Sequence, residues 1–524
     1  MKHSLPDIPE DQKTPLVQIL LRIIQDQAEE IALLKDEIAK LRGQKPRPKI
    51  PPSRVSDDAK HKRKAAGSDD RSSVNRFQRQ KRKEERVIQP GFLPNGARFR
   101  GYEQYTVQDL QIEAVEIQFK LAVYTAPDGS RIRGELPPEY RQGHFGVELQ
   151  AYCIAQYFHC HVTEPLLLEQ LHDMGIDISA AQLSNLLILN REQFHQEKSD
   201  VHDTGIRCSD FLNVDDTGAR HGGKNGYCTS ISSPLFTSFG STDSKSRINF
   251  LKLLQGSCQI YAITPECLDY AFEKGVSDDV QEMLEQYEGK QFTSLTDWER
   301  FQKKRGIHKE QDLRISTEAA LAGGLFALGI DLTRLPIISD AAQQFTLCLN
   351  GLCWVHEERH YRKLIPVSDS EGQELEQIRA VIWGFYEELK RYKLCPTVAK
   401  RAELSCQFDQ IFDESRYRSA GIRELVVHTK ARRKGLLLVL QHPNIPLHNN
   451  DSERDIREYA KRRKISGSTR SAAGQKARDT FTSLKKTCRK LRVSFWGYVR
   501  GRLVGETGVP PLSELILQKA QTVS

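Results

Sequence analysis

Apolar residues recur at heptad spacing near the start of the chain. β-branched residues in one row and mainly leucine in the next favour a parallel two-stranded coiled coil. We therefore predict a coiled-coil helix over residues 1–43 that assembles the chain into a homodimer or a higher multimer. The alternative is a single amphipathic helix packed on its own domain. The two rows are Val17, Ile24, Ile31 and Ile38, then Leu20, Gln27, Leu34 and Leu41.

The next patterned region, residues 87–137, alternates apolar and polar residues. The alternation is clearest at 105–107 and 115–121, and Pro127-Asp128-Gly129 is a turn signal. Alternation with turn residues predicts a small β module.

Residues 138–205 change to helical periodicity. Thr163–Met174 predicts one helix, Gly175 interrupts it, and Ser179 can cap a second helix that runs from 180 to about 189. Two short helices around a glycine turn suit a helix-turn-helix DNA-binding domain. An ordinary helical hairpin is the alternative.

Short buried strands and helices are mixed between residues 206 and 500, which predicts an α/β fold with helical insertions. The predicted strands are 211–216, 227–232, 235–239 and 335–339, with a helix at 246–254 and helical regions at 265–330, 370–440 and 451–500. Residues 501–524 are expected to form a C-terminal tail.

The positive charge of the chain is concentrated in residues 44–86. Between residues 45 and 86 there are 15 Lys/Arg and 6 Asp/Glu, against a net charge of +8 for the whole chain. With four prolines and few apolar residues, the segment predicts a disordered basic linker that contacts DNA phosphates without reading sequence. A merely solvating segment is the alternative. The candidate contacts are Lys62, Arg63, Lys64, Lys81, Arg82 and Lys83.

Composition argues against membrane and secreted proteins. The longest apolar run, residues 319–330, contains three glycines and is shorter than the roughly 20 residues of a membrane span. No apolar core follows a basic start, so no secretory signal is expected. The eleven cysteines contain no C-x-x-C pair, which is typical of a reducing cytoplasm. We expect a cytoplasmic, nucleoid-associated protein.

Three acidic residues occupy positions where catalytic carboxylates are common. Asp215 and Asp340 each end a predicted strand, and Glu453 opens a predicted helix. Carboxylates at strand ends converge at one edge of an α/β sheet. Each acid can also be a turn or helix cap, and Glu453 fits a capping box with Asn450.

Three carboxylates suit a pair of magnesium or manganese ions, because hard cations prefer oxygen ligands. Two such ions can activate an attacking water or hydroxyl and stabilise the leaving oxygen of a phosphodiester. The basic residues that follow Glu453 would then face a phosphate backbone: Arg454, Arg457, Lys461, Arg462, Arg463 and Lys464.

Four stretches, taken together and in this order, resemble the signatures of DDE transposases of the insertion sequence 66 family. They are Val-Asp-Asp-Thr-Gly-Ala-Arg (214–220), Ser-Asp-Ala-Ala-Gln-Gln-Phe (339–345), Cys-Trp-Val-His-Glu-Glu-Arg (353–359) and Pro-Leu-His-Asn-Asn-Asp-Ser-Glu-Arg-Asp-Ile-Arg (446–457). The block around Glu453 is the most specific. The predicted coiled coil, β module and helical segment also match the family's layout.

The resemblance implies an RNase H-like catalytic core over residues 206–500. It also implies metal-dependent cleavage at transposon ends and attack of the freed 3′-hydroxyl on target DNA. Asp215, Asp340 and Glu453 become the catalytic, metal-binding acids. Asp216 is a rival for the first role, and Thr217, two positions after Asp215, favours Asp215. The implied partners are the terminal inverted repeats, target DNA and accessory proteins of the element.

The sequence departs from the family at the β module, where the family carries a four-cysteine zinc module. Residues 1–152 contain no cysteine, so thiolate binding of zinc is impossible there and no zinc is expected. Farther on, Cys348, Cys353, His356 and His360 lie near zinc-ligand spacing. A structural role behind the second acid is the preferred interpretation, with His356 able to contact DNA or the scissile phosphate.

Three functions remain open from the sequence. The first is a transposase that cuts and joins DNA. The second is a sequence-specific DNA-binding protein or regulator on an inactive core, and the third is a nuclease of the same fold that only hydrolyses. Intact acids at all three positions favour the first. The predicted coiled coil favours it over the third, because joining two ends requires two active sites.

Overall fold

The computed structural model describes residues 85–92, 97–137, 140–141, 143–505 and 508–523. The predicted coiled coil and the six candidate cations of the predicted linker lie outside these residues. The described chain divides into a smaller compact unit (residues up to 190 and 492–509) and a larger one (191–491 and from 510 onwards).

The smaller unit begins with a short antiparallel hairpin. Its elements are β1 (Val123–Thr125), β2 (Arg131–Arg133), α1 (Val147–Ile154), a π-helical turn (Ala155–His159), α2 (Glu164–Asp173) and α3 (Ala180–Ile188). The predicted helix pair is confirmed as α2 and α3. Ser179 forms a full capping box with Gln182 at the start of α3, which satisfies two amide donors at that helix end.

The predicted β module is reduced to the hairpin around Pro127-Asp128-Gly129. The strands predicted at 105–107 and 115–121 are wrong, because residues 97–121 form no strand. Their apolar side chains are exposed, including Tyr105 and Val115. Alternation alone does not form a strand when no neighbouring strand pairs with its backbone.

The larger unit contains most of the secondary structure. Its first part comprises α4 (Glu192–Arg207), β3 (Leu212–Gly218), β4 (Tyr227–Ser232), β5 (Thr237–Thr242), α5 (Arg247–Gln255), β6 (Tyr261–Ala262), α6 (Pro265–Glu273), α7 (Asp278–Glu285), β7 (Gln291–Phe292), α8 (Leu295–Lys304), α9 (Glu310–Ala327) and β8 (Ile337–Ser339). These bounds confirm the predicted strands, to within about three residues, and the helical character of 265–330.

After β8 the chain is mainly helical. The remaining elements are a 3-10 turn (Gln343–Phe345), β9 (Asn350–Leu352), α10 (Trp354–Lys363), α11 (Asp369–Leu394), α12 (Val398–Ile411), a 3-10 turn (Glu414–Arg416), α13 (Ala420–Ala431), α14 (Arg433–Leu436), a 3-10 turn (Leu438–Leu440), α15 (Asn450–Ser466), α16 (Ala472–Lys490), α17 (Phe495–Val504, in the smaller unit) and α18 (Leu512–Val523). Helix α4 packs against α16 and α18, which is why the larger unit begins before the boundary predicted near residue 205.

A five-stranded mixed sheet, in the order β5-β4-β3-β8-β9, lies at the centre of the larger unit. β3, β4 and β5 are antiparallel neighbours, and β8 and β9 run parallel to β3. The structure is therefore α/β, and the central strand β3 carries Asp215 and Asp216.

Two apolar clusters hold helices onto this sheet. One surrounds Trp354 of α10 and joins β8 to helices α11, α12 and α13. The other joins Cys228 and Phe239 of the sheet to Ile456 and Tyr459 of α15, with the Phe239 and Tyr459 rings stacked at 5.6 Å. The helices that carry His356 and Glu453 are thus fixed by buried packing.

Within the described residues no helix is long and apolar enough to cross a membrane. All eleven cysteines lie in the described part of the chain, and each is a free thiol.

Candidate active site

Asp215 is the fourth residue of β3, and Asp340 directly follows the last residue of the neighbouring parallel strand β8. The last paired residues of β3 and β8 are Asn213 and Ile338. Continued by two residues, this register places Asp215 opposite Asp340, which directly follows β8. Asp216 points to the opposite face of the sheet from Asp215, because successive side chains alternate along a strand.

The carboxyl group of Asp215 is in an environment that disfavours its negative charge. Burial first, and then the nearby negative charges of Asp340, Asp216 and Glu453, together raise the pKa of Asp215 to about 7. A hydrogen bond from the Asp216 amide to Asp215 Oδ1 (2.8 Å) opposes the shift. All three predicted acids are therefore close enough to interact electrostatically.

Asp216 is already paired within the protein. Lys245 Nζ lies 2.5 Å from Asp216 Oδ1, and Gln344 Nε2 donates to Asp216 Oδ2 at 2.7 Å. Both carboxylate oxygens thus have partners on that face of the sheet. Asp215, whose side chain is on the other face, instead lies within electrostatic range of Asp340 and Glu453.

A tight turn carries Asp340 out of β8. Ala341 has φ +76, in the left-handed region that residues with a Cβ rarely adopt. Ser339 Oγ accepts from the Ala341 amide (3.3 Å) and from Asn350 Nδ2 (3.1 Å). The turn places Asp340 at the surface, one residue after a fully buried strand.

Glu453 lies in the first turn of α15, whose position relative to β3 is set by Asn449. Asn449 Nδ2 donates to the Val214 carbonyl at 2.7 Å, immediately before Asp215. The Asn449 amide donates to Cys353 Sγ at 3.2 Å. The capping box considered for Asn450 and Glu453 is absent, because Asn449 is the N-cap and no side chain caps the helix.

Both oxygens of the Glu453 carboxylate are bound by arginines. Arg359 Nη2 donates to Oε1 at 3.2 Å, and Arg457 Nη2 donates to Oε2 at 2.8 Å. The Glu453 side chain is 13% exposed. The third acid is thus close to Asp215 but is neutralised by two guanidinium groups.

His356 lies beside the same carboxylate. Its Nε2 accepts a hydrogen bond from Arg359 Nη1 at 2.8 Å, because a guanidinium can only donate. Burial, and then the Arg359 cation, hold the pKa of His356 below its ordinary value. The ring is therefore neutral, and its 3.5 Å approach to Glu453 Oε1 is not an ion pair. His356 Nδ1 is buried with no hydrogen-bond partner among the described residues.

Comparison with known proteins places this site in a family. The sequence model of the transposase IS66 family matches residues 340–477. An uncharacterized protein, y4jO of Sinorhizobium fredii (strain NBRC 101917 / NGR234), is 36% identical over 319 residues, which cover 60% of this chain and 99% of that protein. The chain belongs to the IS66 family of transposases.

The IS66 match begins at Asp340 and ends within α16, so it includes His356 and Glu453. Asp215 lies before the matched segment, and the strand register alone connects it to Asp340. The family assignment is therefore independent of the choice between Asp215 and Asp216.

The basic residues predicted to face DNA in this IS66-family protein fall into two groups. Arg454, Arg457, Lys461 and Lys464 are exposed on α15. Arg462 is only 3% exposed, so this predicted phosphate contact is not on the surface that the other four form. Arg463 is half-buried and donates to the Gly218 carbonyl and, at 3.3 Å, to Thr217 Oγ1. It fixes α15 to the end of β3, which its place in a run of cations did not indicate.

The members of the cysteine–histidine cluster lie in different surroundings. Cys353 is buried and its sulfur accepts from Asn449, whereas Cys348 is exposed. The His360 ring packs against His428, 5.2 Å between centroids. Across the described ranges, no three His, Cys, Asp or Glu side chains are placed to hold a metal ion together. Cys353 has the structural position behind the second acid that the sequence favoured.

Sequence reasoning missed four residues of this site: Lys245, Gln344, Arg359 and Asn449. Asn449 and Arg359 lie inside the motifs that carry the resemblance, so their positions were visible but their contacts were not. Lys245 had no signal, because an isolated lysine before a helix is usually solvated.

Proposed function

We propose that this IS66-family protein is a transposase that cleaves DNA at transposon ends and transfers the freed strand to target DNA. The proposed core is RNase H-like. The mixed sheet supports that fold, because three antiparallel strands are followed by two strands parallel to the first. The observation that carries the proposal is geometric: the strand register brings Asp215 level with Asp340, and the hydrogen bond from Asn449 to the Val214 carbonyl brings the helix of Glu453 beside them.

The donor chemistry of the site suits a hard divalent cation, because carboxylate oxygens are the ligands that Mg²⁺ and Mn²⁺ prefer. Asp215 and Asp340 would hold the ions, and Glu453 would join them after leaving Arg359 and Arg457. When bound, two such ions would supply charge stabilisation for the attacking and leaving oxygens.

The side chains around the acids have separate proposed tasks. Arg454, Lys461 and Lys464, exposed on α15, would bind the phosphate backbone beside the acids. His356, a partly exposed side chain beside Glu453, would contact DNA or the scissile phosphate. The coiled coil would bring two chains, and so two active sites, to the two transposon ends. A regulator on an inactive core would not need the acids.

Glu453→Gln tests the proposal. We expect it to abolish Mg²⁺-dependent cleavage of a transposon-end duplex while binding of that duplex persists. The matched control is Asp451→Asn on the same helix, whose exposed carboxylate pairs only with Arg454 at 3.4 Å among the contacts described. It should retain cleavage. Normal cleavage by Glu453→Gln would exclude Glu453 as the third acid, and loss of end binding would indicate a folding defect instead.

A further inference from the structure

Glu453 is held in a position that is incompatible with its proposed role. Arg359 and Arg457 each occupy one of its oxygens. A metal ligand needs an oxygen lone pair directed at the ion, and a divalent cation is repelled by two adjacent guanidinium groups. In agreement, no three acidic, histidine or cysteine side chains of the described chain are placed around one ion.

The helix that carries Glu453 is fixed on both sides of the residue. Asn449, before it, is bonded to the Val214 carbonyl. Asp455, after it, is buried and binds Lys486 (3.1 Å), Lys490 (2.9 Å) and Thr237 (2.7 Å). Since Glu453 already acts electrostatically on Asp215, reaching the metal site requires its side chain to move and the helix to stay.

The two arginines that hold Glu453 suit a phosphate as well as a carboxylate. A guanidinium binds either group through two parallel hydrogen bonds. The Arg457 side chain is 71% exposed and Arg359 is 34% exposed. Arg457 also belongs to an exposed stripe at helical spacing with Arg454, Lys461 and Lys464. A DNA backbone lying along this stripe would meet Arg457 beside the acids.

We propose that Arg359 and Arg457 are positioning residues that hold Glu453 away from the metal site until DNA phosphates replace it. The metal site then becomes complete only when DNA is bound. Divalent ions alone would therefore not activate the transposase when DNA is absent. The inference rests on the proposed function, because it assumes that Glu453 is a metal ligand.

A thermodynamic cycle without DNA tests whether the two arginines hold Glu453 away from the metal site. Mn²⁺ is titrated calorimetrically into wild type, Glu453→Gln, Arg359→Ala/Arg457→Ala, and the triple variant. Glu453→Gln should leave the Mn²⁺ affinity of wild type unchanged, because Glu453 is not yet a ligand. In the double-arginine background it should lower the affinity by about tenfold or more, as loss of a ligand does.

Arg454→Ala is the matched control for this cycle. It removes one positive charge from α15, the helix that also carries Arg457, but its partner is Asp451, so Glu453→Gln should still have no effect in its background. Arg457→Ala alone is the second variant if the double variant unfolds, since its side chain is mostly exposed. The idea is overturned if Glu453→Gln weakens Mn²⁺ binding equally in wild type and in the arginine variants.

The salt dependence of DNA binding in EDTA tests whether DNA phosphates bind the two arginines in place of Glu453. Each phosphate contact contributes a slope of about −0.9 in log K against log salt. Arg359→Ala and Arg457→Ala should each flatten the slope by about that amount, whereas Arg300→Ala, an exposed arginine paired with Asp297, should not. Unchanged slopes for both variants would contradict the proposal that DNA phosphates replace Glu453 at the two arginines. Failure of the proposed function is a separate result, the absence of Mg²⁺-dependent cleavage by wild type.

Discussion

The protonation of Asp215 gives a stability prediction whose sign follows from the structure. Its pKa is about 7 in the folded protein and 3.8 as its ordinary value. Between these two pH values the folded state binds more protons than the unfolded state. Stability from this group is therefore fully present below pH 3.8 and is lost as pH rises through about 7. Above that pH the folded protein carries a buried, ionised carboxylate beside other acids.

The size of the effect follows from the two pKa values. A difference of one pKa unit corresponds to 1.36 kcal/mol, so the total loss is about 4 kcal/mol, of which about 3 kcal/mol falls between pH 5 and pH 8. Asp215→Asn removes the ionisation but keeps the shape of the side chain. In EDTA, the free energy of unfolding of the variant should exceed that of wild type by an amount that grows by about 3 kcal/mol across this range.

The assay is urea unfolding at several pH values, followed by the fluorescence of Trp298 and Trp354, which are buried in the larger unit. Asp216→Asn is the control. It removes the neighbouring acid, but that acid is paired with Lys245, so the variant should lose stability. If wild type and Asp215→Asn show the same pH dependence in EDTA, the first acid is not held in a charge-disfavouring site. The electrostatic argument for the site then fails.

Two further predictions concern the backbone that presents the acids. Ala341→Gly should stabilise the protein by about 1 kcal/mol, because φ +76 is unfavourable only for a residue with a Cβ. The control Ala342→Gly, at φ −64, should destabilise it slightly in the same urea titration, and equal effects would refute the strain argument. Asn449→Ala should destabilise the protein by about 1–3 kcal/mol, because it leaves the buried Val214 carbonyl without its donor. It should also slow cleavage more than it weakens end binding, whereas an equal effect on both would exclude a positioning role.

The sequence predicted the part of the site that lies on the buried strands β3 and β8 and directly after them. Buried runs ending in acid located β3 and β8, and strand register then brings Asp215 and Asp340 together. The prediction of a β module was mostly wrong because it depended on alternation alone. Residues 105–121 have the alternation of a strand, but among the described residues no neighbouring strand pairs with them.

Part of the positive charge in the last part of the chain is buried. The region 451–500 is helical as predicted, but Lys485 of α16 is only 1% exposed and Lys486 only 5% exposed. Lys485 pairs with Glu458 at 2.5 Å, and Lys486 pairs with Asp455. A buried cation is tolerable only where a carboxylate meets it, and sequence distance does not show that partner.

The same buried ion pairs explain why the orientation of Glu453 could not be predicted while its place could. Asp455 and Glu458 anchor one face of α15 to α16, and Asn449 anchors its start to β3. Between these anchors the helix is fixed, which places Glu453 near Asp215. The orientation of its carboxylate, however, depends on which positively charged group binds it most strongly. Without DNA or metal, that charge is supplied by Arg359 and Arg457. The geometry of the third acid is thus set by the occupant of the site, which the sequence of the chain does not contain.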